Sequence, residues 1–170
     1  MELILKPISH SGIAEALEKV DLYRYLNEPE EAESICRDIL AVEPENQTAI
    51  RQLGMCITDQ FSGEPSDRVG EAEGVLEGLT SPYERLYYTG LLYERRAKAQ
   101  LGAGRPVQSV LPLFEEAMRR FDEAEKIRPA GNDDALLRWN RCVRLLEKLP
   151  GVDLEREAAE VFEAHDSPPV

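Results

Sequence analysis

The sequence has 170 residues, 42% of them hydrophobic and 31% charged, which is typical of one soluble globular domain. Its formal net charge of −13 argues against nucleic acid and anionic membrane as partners, because both would repel the chain. The three cysteines are far apart and form no CxxC pair, which favours reduced thiols and a cytoplasmic protein. We also expect no signal peptide and no transmembrane helix.

In chain order, apolar residues keep helical spacing from Ile13 almost to the C-terminus, with turn-rich segments between them. These breaks predict three helical hairpins at 12–42, 46–79 and 81–127, then a single helix at 133–149. A last helix is predicted at 154–164. The third hairpin has the clearest start: Ser81 as N-cap, Pro82 at the first helical position and Glu84 closing a capping box. We expect one domain over 1–165 and a flexible tail at 166–170.

The hairpins share internal spacings. In the second helices of the first and third hairpins, an alanine precedes a core residue and then a proline at equal offsets: Ala32, Cys36 and Pro44, and again Ala117, Phe121 and Pro129. The first helices of the second and third hairpins carry Gly54 and Gly90 in their interiors. A glycine there costs about 1 kcal/mol relative to alanine, so it needs a structural reason.

These spacings resemble the tetratricopeptide repeat family, whose pattern W-x2-L-G-x2-Y, A-x3-F and P extends over about 34 residues. The resemblance covers residues 12–149. It implies an all-α fold, a right-handed superhelix of antiparallel helical hairpins with about three repeats plus capping helices. In that family, small residues lie where helices cross closely. We therefore expect Ala32, Gly54, Gly90 and Ala117 to be buried at crossings.

The sequence departs from the family pattern in three places. The first hairpin has Val20 where the family usually has glycine, and Cys36 where it has an aromatic residue. The second hairpin has extra residues in FSGEPSD. In the third, the first helix runs to Leu101 and the second begins near Ser109, so both arms are lengthened. We expect residues 101–108 to stand beyond the neighbouring hairpin tips.

Catalytic and metal-binding patterns are weak. His10 and His165 lie near opposite ends of the chain without spaced partners, so no metal site is predicted. Cys36 is expected in the core, while Cys56 and Cys142 could be partly exposed but have no histidine nearby in sequence. The GAGRP segment lacks the lysine and the strand-to-helix setting of a phosphate loop. We predict no enzyme, no cofactor and no catalytic residue.

The resemblance also implies a concave groove lined by the first helix of each hairpin. Projected onto this sequence, the lining consists of Arg24, Tyr25, Arg51, Gln52, Met55, Tyr87, Tyr88, Leu91, Arg95, Arg138, Arg141 and Arg144. Arginine and tyrosine are enriched at binding hot spots. The alternative is that these arginines neutralise acidic residues on neighbouring helices, and the sequence leaves both interpretations open.

This groove predicts a non-catalytic interaction module or scaffold that docks a peptide of a protein partner, with an acidic or C-terminal segment favoured. Two alternatives stay open: a cytosolic chaperone for a secreted or assembling client, and a regulatory subunit of an enzyme complex. Some family members bind chaperone C-termini through a Lys/Asn carboxylate clamp. The corresponding positions here are Leu17, Asp21, Arg51 and Met55, so that role does not carry over. The sequence leaves the oligomeric state open.

Overall fold

The computed structural model describes residues 3–152, and the predicted helix at 154–164 and the tail at 166–170 lie outside them. A short 3-10 turn, His10–Gly12, precedes seven α-helices, and residues 3–152 contain no strand. The helices are α1 (Ile13–Tyr25), α2 (Pro29–Val42), α3 (Gln47–Asp59), α4 (Val69–Glu77), α5 (Pro82–Gly102), α6 (Val107–Lys126) and α7 (Asp134–Leu146). The all-helical prediction is confirmed for this part of the chain. No helix in it is long and apolar enough to cross a membrane.

Local capping explains where several helices begin. The Asn46 side chain accepts a hydrogen bond from the Ala49 amide at 3.0 Å at the start of α3. At α5, Ser81 Oγ accepts from the Glu84 amide at 3.3 Å and Pro82 is the first helical residue, as predicted. The Glu84 carboxylate accepts instead from Arg51 on α3, at 2.8 Å. The N-cap is therefore confirmed, but the predicted capping box is wrong, because the Glu84 carboxylate ties α5 to α3.

Gly54 and Gly90 each lie against a large side chain from the second helix of the same hairpin. A Cβ on Gly54 would lie 2.5 Å from Leu76 Cδ2, and one on Gly90 would lie 2.6 Å from Phe121 Cε1. Both distances are shorter than packed carbon atoms permit, so only glycine lets α3 meet α4, and α5 meet α6, this closely. The predicted burial of these glycines is confirmed.

The first hairpin has a different pair at the same repeat positions. Val20 stands in place of the glycine and Cys36 in place of Leu76 or Phe121, and both side chains are fully buried. A larger residue on α1 thus coincides with a smaller one on α2. Ala32 and Ala117, also predicted at crossings, are fully buried.

The loop between α3 and α4 is fastened by one buried carboxylate. Glu33 on α2 accepts hydrogen bonds at 2.6 Å from Arg37, from Arg68 and from Gln60. The Arg68 hydrogen bond, with help from Arg37 and Gln60, lowers the pKa of Glu33 to about 2. This ion cluster links the first hairpin to the second on the outer side of the molecule.

The third hairpin has the long arms that the sequence predicts, with 21 residues in α5 and 20 in α6. Its tip, however, is not free of neighbours. Gly63, in the α3–α4 loop, has a φ of +84°, and a Cβ there would lie 2.5 Å from the Ala99 carbonyl oxygen of α5. On the chain leaving α7, a Cβ on Gly151 would be 3.5 Å from Gln108. The extra residues of the second hairpin therefore pack against the lengthened arm. That residues 101–108 extend beyond the neighbouring hairpin tips stays a prediction.

Candidate functional site

The odd-numbered helices form one layer of the molecule. Helix α3 packs directly against both α1 and α5, and Arg138 of α7 lies 3.7 Å from the Glu94 carboxylate of α5. We call the solvent side of α1, α3, α5 and α7 the odd-helix face. The predicted groove residues lie on these helices, so their surroundings can be compared one by one.

Asp59 at the end of α3 holds two of the predicted arginines. Arg24 Nε donates to Asp59 Oδ2 at 2.8 Å, and Arg95 Nη1 donates to the other carboxylate oxygen. Arg95 also donates to Thr58 Oγ1 at 2.6 Å, and Arg24 to Gln52 Oε1 at 2.6 Å. Burial lowers the pKa of Arg95, and the Asp59 charge opposes that change. These contacts link α1, α3 and α5, and they leave Arg24 and Arg95 with an internal partner.

Arg51 is engaged with α5 in a similar way. Besides its ion pair with Glu84, its guanidinium lies 5.9 Å from the centre of the Tyr88 ring, a cation–π geometry. The Tyr87 ring meets Tyr88 edge-on at 5.0 Å between centroids and stacks on Tyr83 at 5.9 Å. Burial raises the pKa of Tyr88. Tyr87 and Tyr88 are half-buried. Packing fixes both rings, and only part of each ring is open to solvent.

Two predicted lining residues belong to the core, and a third is strongly exposed. Met55 and Leu91 are 3% and 5% exposed, so they belong to the core and cannot offer their side chains to a ligand. Their sequence neighbours Gly54, Cys56, Gly90 and Leu92 are buried as well, because α3 and α5 each pack against several other helices. Tyr25, by contrast, is 87% exposed at the C-terminal end of α1.

The arginines of α7 differ from those on the other helices. Arg141 and Arg144 are exposed, and neither has a hydrogen bond or ion pair with any residue within 3–152. Arg138 is half-exposed and close to Glu94. The alternative raised from sequence, internal neutralisation, therefore describes Arg24, Arg51 and Arg95. It does not describe Arg141 and Arg144 within the described chain.

Two acidic residues of this layer were missed from the sequence. Asp59 is the last residue of α3, and nothing local shows that it meets arginines from two other helices. Glu94 is 1% exposed; its Oε1 contacts Lys98, while its Oε2 has no partner in the described residues. The i,i+4 spacing of Glu94 and Lys98 was the one available signal, and it also occurs on exposed helix surfaces.

The three cysteines lie inside the fold as free thiols. Cys36, Cys56 and Cys142 are all buried, so the expectation that Cys56 and Cys142 are partly exposed is wrong. Burial raises the pKa of Cys142 to about 12, which keeps the thiol protonated and poorly nucleophilic at neutral pH. Residues 3–152 contain no group of three or more histidine, cysteine or acidic side chains placed to hold a metal ion.

A cleft of about 520 Å³ lies on the opposite side, between α4, α5 and α6. Glu73, Arg85, Tyr93 and Arg120 are among its lining residues. Tyr93 Oη donates to Glu73 at 2.8 Å across it. Arg85 is exposed there, which makes it a useful reference for the arginines of the odd-helix face.

A scan against protein-family models, a search of curated proteins and a search of solved structures each find no match to this chain. The chemistry and geometry described above are therefore the basis for the function.

Proposed function

We propose that the chain is a tetratricopeptide-like helical repeat protein that docks a segment of a protein partner on its odd-helix face, without catalysis of its own. Its three successive hairpins and single seventh helix support the repeat architecture. The equivalent crossings, Gly54 with Leu76 and Gly90 with Phe121, support it further. In such arrays the first helices of the hairpins line the binding surface, and here these are the odd-numbered helices.

The exposure of Arg141 and Arg144 carries the proposal. The remaining arginines of this face are engaged with Asp59, Glu84 or Glu94, so the uncompensated positive charge is concentrated on α7. Guanidinium groups bind carboxylates through two parallel hydrogen bonds. The partner segment is therefore acidic, or ends in a free carboxylate. Because the pairs are solvent-accessible, we expect binding to weaken as salt is added.

Charge reversal of Arg141 and Arg144 tests the proposal. Partner capture from the native cell by wild-type protein is compared with capture by the Arg141→Glu/Arg144→Glu variant. The matched control is Arg85→Glu/Arg105→Glu, which makes the same change in net charge at exposed positions away from this face. Arg138 is left unchanged, because a glutamate there would lie beside the buried Glu94 and would destabilise the fold.

We expect the α7 variant to lose a specific set of captured proteins, while wild type and control retain it. Circular dichroism should give the same helical signal for all three proteins. Equal capture by the α7 variant and the wild type would show that docking occurs elsewhere, with the cleft between α4, α5 and α6 as the next surface to test.

A further inference from the structure

Helix α7 presents a stripe of exposed side chains at one end of the odd-helix series within residues 3–152. Leu137, Arg141 and Arg144 are spaced by four and three residues, and all three are exposed. At about 100° per residue they lie within an arc of about 60°, on the side of α7 opposite the buried Ala135 and Cys142. We call these three residues the α7 stripe. It combines two positive charges with a leucine that is 60% exposed.

Helix α1, at the other end of the series, presents a stripe of opposite charge. Glu15, Glu18 and Leu22 are spaced by three and four residues, and all three are exposed. They also lie within an arc of about 60°, on the side of α1 opposite the buried Ile13 and Val20. Leu22 is 53% exposed. This α1 stripe has two negative charges and one uncovered leucine, which makes it the chemical complement of the α7 stripe.

The two stripes of one copy cannot meet, because α3 and α5 lie between α1 and α7. Helix α3 packs against both α1 and α5, and α5 is joined to α7 through Glu94 and Arg138. Two intervening helices, each about 10 Å in diameter, separate the stripes. A second copy of the chain can bring its α1 stripe to the α7 stripe of the first. Such a contact joins two different surfaces, so it is heterologous.

The register of the two stripes agrees when the helices are antiparallel. Residues then lie at the same level if their numbers add to a constant, because both helices rise equally per residue. A sum of 159 gives one leucine level and two opposite-charge levels: Leu137 with Leu22, Arg141 with Glu18, and Arg144 with Glu15. The alternating steps of three and four residues are those of paired helices in a coiled coil, whose members at each level face the partner helix.

The parallel orientation fits less well. A parallel pair that sets Arg141 level with Glu15, and Arg144 with Glu18, places Leu137 level with the exposed Ser11. Both leucines then lose their apolar contact. The antiparallel register is therefore the one that uses charge and apolar surface together.

The contact is weak. Each ion pair is solvent-accessible, and two 13-residue helices form a small contact compared with the about 1,200–2,000 Å² that stable complexes bury. Glu15 also contacts Lys19 on its own helix, and this pair competes with Arg144. The net charge of −13 adds repulsion between copies, which physiological salt screens beyond about 8 Å. We therefore expect association only at high protein concentration.

We propose that α1 of a second copy is an acidic segment that binds Arg141 and Arg144, with the two helices antiparallel and the copies joined head to tail. The inference rests on the proposed function and deepens it, because it names another copy of this chain as a partner. A heterologous contact of this kind does not close between two copies, so assembly continues from copy to copy. A different partner with the same pattern of charge and apolar surface would compete for the α7 stripe.

Sedimentation velocity of the full chain tests the proposal without any other protein. Between roughly 20 µM and 1 mM protein in about 0.15 M salt, we expect the weight-average mass of the wild type to rise about twofold. Glu15→Arg/Glu18→Arg should stay monomeric, although it lowers the net negative charge and therefore the general repulsion between copies. Arg141→Glu/Arg144→Glu should also stay monomeric. The control Arg85→Glu/Arg105→Glu has the same net charge as that variant and should associate like the wild type.

A mixture of the two monomeric variants provides the sharpest step. The α7 stripe of Arg141→Glu/Arg144→Glu then meets the α1 stripe of Glu15→Arg/Glu18→Arg, with each ion pair reversed in sign. The unchanged stripes of the two variants also remain complementary to each other. The mixture should therefore recover the rise in mass of about twofold that the wild type shows.

Three outcomes would overturn the proposal: a wild type that stays monomeric over this range, association that survives either charge reversal, or a mixture that does not recover association. Circular dichroism checks folding in every sample. If the helical signal of a variant falls, Glu15→Gln/Glu18→Gln or Arg141→Gln/Arg144→Gln replaces it and should still weaken association. Leu22→Ser tests the orientation, because it should weaken association only if the leucines meet.

The result can be separated from that of partner capture. Glu15→Arg/Glu18→Arg keeps both α7 arginines, so it retains the capture of other proteins that the proposed function predicts. Arginine-dependent capture by a wild type that stays monomeric would reject this inference and keep the proposed function. Self-association without capture would keep the head-to-tail contact and reject docking of a different protein.

Discussion

The first and third hairpins solve the same packing problem with different residues. At the crossing of α5 and α6, Gly90 leaves room for the Phe121 ring. At the equivalent positions of α1 and α2, Val20 and Cys36 are both fully buried. In the third hairpin the first helix carries the small residue and the second helix the large one. In the first hairpin the first helix carries the medium-sized Val20 and the second helix the small Cys36. We infer that the two crossings hold a similar combined side-chain volume, because a packed core tolerates neither voids nor overlap.

The two hairpins also depend on different forces. The third has long arms and aromatic filling from Phe114 and Phe121. The first has a shorter contact, with the Glu33 ion cluster beside it. Substitutions at matched positions, and changes of pH, should therefore affect the two hairpins unequally.

The largest expected effect comes from removing the aromatic ring. Phe121→Ala should lower the free energy of unfolding by about 3–5 kcal/mol, because a fully buried ring leaves a cavity over Gly90. Cys36→Ala removes a single sulfur atom from the equivalent position and should cost about 1 kcal/mol. Urea unfolding followed by circular dichroism measures both. Equal costs would contradict this explanation, because the Phe121 ring would then contribute no more to packing than the Cys36 thiol.

The next largest effect should come from acid, which should weaken the Glu33 ion cluster. Glu33 has a pKa of about 2 in the folded chain, against an ordinary value of 4.5. Its stabilisation is therefore complete above about pH 5 and is lost as the pH falls through the folded pKa. The loss should be on the order of 2 kcal/mol. Unfolding between pH 5 and pH 2 should show a smaller decrease for Glu33→Gln than for the wild type. Parallel decreases would exclude this carboxylate as the acid-sensitive group.

Glycine substitutions should differ in sign between crowded and open sites. Gly90→Ala places a methyl group against the Phe121 ring and should cost about 1–2 kcal/mol net of the gain in helix propensity. A Cβ on Gly74 in α4 meets nothing within 4 Å, so Gly74→Ala should stabilise by about 0.4–1 kcal/mol. Thermal melts of the two variants provide the measurement. Stabilisation by Gly90→Ala would show that this crossing has room to spare.

The smallest effect on stability should come from the exposed arginines of α7, Arg141 and Arg144. Arg141→Glu/Arg144→Glu changes exposed side chains without partners in residues 3–152, so the global free energy of unfolding should shift by less than about 0.5 kcal/mol. Arg95→Ala, which removes a partner of Asp59 and Thr58, should cost more. The same unfolding assay compares the two. A large loss on reversing the α7 arginines would assign them a structural role.

Much of the fold could be predicted from local pattern. Helical spacing, turn residues and Ser81 with Pro82 located the helices, and the interior glycines located the close crossings. Contacts between distant segments could not be predicted in this way. The carboxylate of Glu84 is held by Arg51, 33 residues earlier, and the loop at Gly63 reaches α5 only through the tertiary arrangement.

The candidate site was predicted less well, for two physical reasons. An arginine on the correct helix face can be neutralised by an acid from another helix, as Asp59 does for Arg24 and Arg95, and sequence spacing does not record that pairing. The central helices α3 and α5 also pack against neighbours on several sides, so Met55 and Leu91 are buried although the projection placed them in the groove. Of the three arginines that the projection placed on α7, Arg141 and Arg144 are exposed, while Arg138 lies beside the buried Glu94.

Transplanting the third hairpin's pair into the first tests most directly whether the hairpins are equivalent repeats. Val20→Gly should destabilise by leaving a cavity, and Cys36→Phe by overpacking. In the double variant the ring should fill the space left by valine. Urea unfolding of the four proteins should then give a favourable coupling energy of about 1 kcal/mol or more. Costs that add within about 0.5 kcal/mol would contradict the account, because the two side chains would not share one space.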